Sequence, residues 1–154
     1  MKTCYFRPLA LCAVLLLTAT PGFAGAEDVR VTDPWARASI GVNRPGAAYL
    51  TLHNTGQDDV TLTGVTTPLA LRPEIHLTST NAEGISSMRR AGDITIAAGE
   101  SVSLEPGGLH TMLMQLQTPM QEGESFPLTF EFSDGGTVTA DVPVLGLAAR
   151  GPLE

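Results

Sequence analysis

From residue 29 onward, short apolar runs alternate with clusters of Gly, Pro, Asn and Asp, and no 3.6-residue period is sustained. The cleanest run is 126–132, where Phe126, Leu128, Phe130 and Phe132 alternate with Thr129 and Glu131, Pro127 being the exception. That is the pattern of a strand with one buried face. Reading the rest in the same way predicts strands at 29–32, 47–53, 60–65, 74–79, 85–89, 94–96, 102–104, 110–117, 126–132 and 137–144. The breaks between them include Asn54-Thr55-Gly56, Ala98-Gly99-Glu100, Gln121-Glu122-Gly123 and Asp134-Gly135-Gly136. Strands recurring every 8–12 residues or so predict an all-β, antiparallel sandwich or barrel. No internal repeat or linker divides it, so a single domain is expected.

The first residues follow another pattern. Lys2 and Arg7 precede an apolar segment at 9–19, then Pro21-Gly22 and the A-x-A sequence Ala24-Gly25-Ala26. This reads as a cleavable secretory signal over 1–26, with Glu27 as the mature start. The segment is shorter than the roughly 20 residues a bilayer-spanning helix needs, so no membrane insertion of the mature chain is expected. A lipid anchor on Cys12 is the alternative, but Leu11 stands where a small residue is usual. The domain is then 27–144, followed by a flexible tail at 145–154.

Both cysteines, Cys4 and Cys12, fall within the signal. The mature chain would hold no disulfide, no redox pair and no Cys-ligated copper centre. Removing Lys2 and Arg7 leaves seven basic residues, all Arg, against sixteen acidic ones, a net charge of −9. Such a surface repels nucleic acid and anionic lipid.

The candidate chemistry lies at 76–114. If 110–117 is extended after the turn Pro106-Gly107-Gly108, then His110, Met112 and Met114 share one face. His110 and Met112 then stand about 6.5 Å apart along the strand. A second pair comes from a hairpin whose arms, 74–79 and 85–89, flank a polar turn at 80–84. A register symmetric about Ala82 puts His76 directly across from Met88, with Cβ atoms about 5 Å apart. Two imidazoles and two thioethers are a neutral, soft set whose preferred ion is Cu(I) rather than Zn²⁺, Mg²⁺ or Ca²⁺. Thioethers need no deprotonation and form no disulfides, which suits an oxidising compartment. Taken singly, each of these methionines reads as a core residue.

The spacing His76-Leu77, ten residues, Met88, twenty-one residues, His110-Thr111-Met112 closely resembles the motif of the periplasmic copper A chaperone (PCuAC) family. Trp35-Ala36-Arg37, Ala47-Ala48-Tyr49-Leu50 and Pro106-Gly107-Gly108 resemble it too, and the likeness spans 31–144. Many members carry methionine directly after the first histidine; Leu77 departs from that and removes an alternative donor. The resemblance implies a cupredoxin-like Greek-key sandwich, periplasmic and monomeric, that binds one Cu(I) through His76, Met88, His110 and Met112. It also implies a recipient, the apo copper A subunit of a respiratory oxidase, with a Sco-type thiol protein as a second partner. Some relatives have a His/Met-bearing tail; the tail here has neither residue.

Met114 is expected in the core or just behind the ligands, and Met120, after Pro119, in a loop. His53 reads as a surface histidine at a turn, Trp35 as an end plug, Asp58-Asp59 as an exposed turn, and Arg89-Arg90 as a solvated edge. No nucleophile elbow, phosphate loop or HExxH sequence is present, so no enzyme is expected. Three other readings stay open: a copper buffer using the same site, a copper redox protein, and a metal-free assembly module.

Overall fold

The computed structural model describes residues 25–152. The segment expected to be a secretory signal, with Cys4 and Cys12, lies outside the described residues but for its last two positions. A 3₁₀ turn, Ala26–Asp28, leads into β1 (Val29–Arg37), β2 (Gly46–Asn54), β3 (Val60–Thr66), β4 (Ala70–Thr80) and β5 (Ser86–Arg90). Then come β6 (Ile94–Ile96), β7 (Ser101–Leu104), β8 (Leu109–Leu116), β9 (Ser125–Phe132) and β10 (Thr137–Leu145). Each expected strand is present, most of them longer by a residue or more at one end.

The hydrogen-bonded order is β5-β4-β8-β2-β1-β10-β9-β3-β6, with β7 also paired to β2. Only β1–β2, β4–β5 and β9–β10 join sequence neighbours; every other pairing is brought together by a longer crossing, as in a Greek key. All pairings are antiparallel except β1 with β10, which run parallel over Ala36–Val144 and Arg37–Leu145. The fold is an antiparallel, cupredoxin-like β-sandwich. No helix among the described residues is long and apolar enough to cross a membrane.

The alternation read in the sequence decides what lies inside. Leu128 and Phe130 of β9 are fully buried, against Leu52 of β2, Leu62 of β3 and Val142 of β10 in one core cluster. Two breaks in alternation matter for the site. Between Thr32 and Trp35 the β1–β2 register shifts, and Asp33 takes a left-handed φ of 52°. The extra residue reverses the parity of β1. Ala36 therefore joins the core, while Trp35 and Arg37 turn to the opposite face of the sheet. In β8, Thr111 and Leu113 are fully buried, and Gln115 at φ 58° breaks the alternation so that Leu116 is buried next.

The start of the described chain is clasped to the turn between β9 and β10. Ala26 is 4% exposed and its N–H donates to Asp134 Oδ2 at 3.0 Å, while Gly136 N–H donates to Oδ1 at 2.9 Å. The Gly136 bond first, and the Ala26 bond second, hold the Asp134 carboxyl below the usual carboxylate range. A depressed folded-state pKa contributes stability above the ordinary aspartate range and loses it as pH falls through the lowered value. A chain starting at Glu27, the expected mature start, lacks both the buried methyl and this donor. It should be less stable at neutral pH by about 1 kcal/mol than a chain starting at Gly25. The gap should narrow in acid as Asp134 protonates. Urea unfolding of the two chains checks this; equal midpoints at neutral pH would show that the clasp contributes nothing.

At the other end, Leu145 closes β10, and Arg37 Nε donates to the Ala149 carbonyl at 2.7 Å, drawing the following segment back against β1.

Candidate metal centre

With the core on one face of β4, β8 and β2, the other face gathers the chemistry. On β8, His110 and Met112 alternate with the buried Thr111 and Leu113 and so point away from the core. Met112 pairs with Ala47 on β2 and Glu74 on β4, and His110 pairs with His76. The two imidazole centroids are 6.3 Å apart. An ion about 2 Å from a ring nitrogen sits roughly 3 Å from the ring centre, so one ion fits between rings at this separation.

The hairpin does not have the register expected from its sequence. Met88 pairs with Thr78, and His76 stands across from Arg90. The turn explains the difference. Asn81 Oδ1 accepts from the N–H groups of Glu83 and Ile85, Asn81 N–H donates to the Ile85 carbonyl, and Gly84 takes a left-handed φ of 78°. The turn is thus centred on Glu83 rather than Ala82, and Thr80 becomes the last paired residue before it. A shift of two residues preserves the face, so His76 and Met88 remain on one side as diagonal neighbours. Their Cβ atoms are then separated by about 7 Å rather than about 5 Å.

Met88, His110 and Met112 line one open cavity of about 210 Å³, with Arg37, Ala47, Tyr49, Thr78, Pro106 and Gly107. His76 adjoins it, opposite His110, but is not on its wall. Exposure differs sharply among the four. His110 is 5% exposed, Met112 is half-buried and Met88 is 49% exposed. The cavity's inner wall is firm: Tyr49 stacks on Trp35 at 4.5 Å, and the Arg37 guanidinium lies 5.7 Å from both ring centres.

Each imidazole has one nitrogen committed. His110 Nδ1 lies 3.1 Å from the Gly108 carbonyl, which can only accept, so Nδ1 carries a proton and in the neutral ring Nε2 holds the lone pair. His76 Nε2 lies 3.0 Å from Glu74 Oε2. That His76 bond, helped by Arg72, holds the Glu74 carboxyl below its usual range. The ionised carboxylate accepts from Nε2–H, so in the neutral ring it is Nδ1 that holds the lone pair. His76 Nδ1 is buried and has no hydrogen-bond partner in the structure. Two lone-pair nitrogens and two thioethers without charge form a soft donor group. Among the described residues, no cluster of three or more His, Cys, Asp and Glu side chains stands where it could hold a metal.

Other sequence candidates fall elsewhere. Met114 pairs with Arg72, half-buried, on the face of Met112 but off the cavity. Met120 lies in the loop between β8 and β9, as expected, but its side chain turns into the core, 2% exposed and packed against Gly46. Both ring nitrogens of His53 are engaged, with Thr32 Oγ1 and Ser101 Oγ, across β1 and β7. Glu74, Thr78, Tyr49 and Arg37 were not singled out as site residues in the sequence. A signal for Glu74 existed: two residues before His76, it must share its strand face.

Comparison with known proteins finds relatives of the chain as a whole. A family model described as putative lipoprotein LpqE-like matches residues 29–144. A putative lipoprotein of Leifsonia xyli subsp. xyli is 36% identical over 137 residues, covering 86% of this chain and 80% of that protein. The solution structure of Cu(I)-bound DR1885 from Deinococcus radiodurans is 34% identical with a TM-score of 0.58, covering 79% of this chain and 83% of that one. The apo PCuAC domain of PmoF2 superposes with a TM-score of 0.67 at 21% identity, over 82% of this chain and 97% of that domain. This last match bears on the fold alone.

Proposed function

Because the chain belongs to the LpqE-like, PCuAC-type family, we propose that it is an extracytoplasmic copper chaperone, periplasmic in setting, that carries one Cu(I). The observation that carries this reading is the convergence of Met88, His110 and Met112 on one cavity with His76 opposite His110. His76, Met88, His110 and Met112 are the ligands. The Cu(I)-bound state of the Deinococcus relative supports the choice of ion.

The gradient of exposure fits a carrier. The buried His110 anchors the ion, while Met88, on the edge strand β5, is open to solvent. An incoming thiolate or thioether displaces Met88 first, so the ion changes hands without being released into water. The recipient is the apo copper A subunit of a respiratory oxidase, with a Sco-type thiol protein as a second partner.

The test is uptake followed by transfer. Under anaerobic reducing conditions the domain should bind one Cu(I) per chain and load an apo copper A fragment when mixed with it. Uptake without transfer would make the protein a copper buffer. No uptake would leave a metal-free assembly module.

A further inference from the structure

We infer that Glu74 is a positioning residue for this site: its carboxylate locks His76 in the Nε2–H tautomer and leaves the buried Nδ1 as the nitrogen that binds the metal. The inference rests on the Cu(I) reading above and adds to it a residue outside the ligand motif. Glu74 sits in β4 on the His76 face, directly across from Met112, so it stands between two of the proposed ligands. Its Oε2 accepts from His76 Nε2–H at 3.0 Å and its Oε1 from Arg72 Nε at 3.0 Å. The Glu74 side chain is 11% exposed, whereas that of Arg72 is 63% exposed. The carboxylate is therefore fixed from the sheet side, and Arg72 only braces it from solvent.

The orphaned nitrogen is the second, independent observation. A buried ring nitrogen without a partner carries a desolvation cost of about 1–3 kcal/mol. Of the two nitrogens of His76, it is the one with a lone pair to give. An acid that holds the distal N–H of a ligating imidazole fixes the ring's orientation and raises its basicity. His110 is held in the mirror sense, by a backbone carbonyl on Nδ1. The two rings thus offer Nδ1 from His76 and Nε2 from His110. His76 is the ring tuned by a charge, and its contribution depends on a side chain that substitution can remove.

The experiment uses the apo domain first. Long-range ¹H–¹⁵N spectra should show His76 Nε2 as a protonated, pyrrole-type nitrogen and Nδ1 as a pyridine-type one. On adding Cu(I), the Nδ1 resonance should be the one that shifts. Glu74→Ala should weaken Cu(I) in chelator competition by about ten- to a hundredfold, the usual loss when a ligand's supporting carboxylate is removed. Glu74→Gln keeps an acceptor for Nε2–H and should recover most of that loss, and Arg72→Ala should stay close to the parent. A parent domain that binds Cu(I) while showing a pyridine-type Nε2 overturns the inference, as does an unchanged affinity in a folded Glu74→Ala. If Glu74→Ala does not fold, the parent spectrum decides alone. A parent that takes up no Cu(I) refutes the chaperone reading instead, so the two failures are distinguishable.

Discussion

Replacing His110 by alanine should weaken Cu(I) retention by at least about a hundredfold, the upper end of what loss of a supporting partner costs, since here a ligand itself is removed. Chelator competition under anaerobic conditions measures it. Met88→Ala is the cleaner variant, because Met88 is 49% exposed on an edge strand. Truncating such a side chain should change the stability of the metal-free domain by no more than about 0.5 kcal/mol. A drop of tenfold or more in Cu(I) affinity would then report on ligation and not on folding. His53→Ala serves as the control: it breaks bonds to Thr32 and Ser101 far from the cavity and should leave affinity unchanged. If His110→Ala or Met88→Ala held Cu(I) as tightly as the parent, the ligand assignment would be wrong.

The second large effect concerns the scaffold. Phe130→Ala should destabilise the domain by about 3–5 kcal/mol. Phe130 is fully buried, paired with Val65 on β3 and Val138 on β10, within the core that joins the two halves of the sandwich. Against a total stability of about 5–15 kcal/mol, that is enough to leave a large fraction unfolded at growth temperature. Denaturant unfolding of the metal-free protein is the measurement. A loss below about 1 kcal/mol would mean that the neighbouring side chains collapse into the space, contrary to the close packing around this ring. Because ligand binding stabilises only the folded state, Cu(I) should recover part of the loss if the site survives.

The sequence alone determined the strand content and the side chains that could donate to a soft metal. The run Phe126–Phe132 and the breaks at Asn54-Thr55-Gly56 and Asp134-Gly135-Gly136 are local signals, set by side-chain alternation and turn chemistry, and these operate within a few residues. The face shared by His110 and Met112 was of the same kind, a consequence of the two-residue period. The pairing of His76 with His110 was not, because it joins residues 34 positions apart in the chain, and only the β4–β8 register decides it. The expected His76–Met88 partnership failed for a related reason: Asn81 and Gly84 centre the turn one residue later than a symmetric hairpin would. Tyr49 and Arg37 reached the site region through tertiary structure as well, whereas Glu74 follows from the two-residue period, two positions before His76 on β4. The extra residue at Asp33-Pro34 reverses the parity of β1 and turns Arg37 toward the cavity, and alternation read along that strand points it the other way. Which residues could bind a soft metal was therefore written locally, whereas how they meet depended on register, bulges and crossings, which only the folded chain sets.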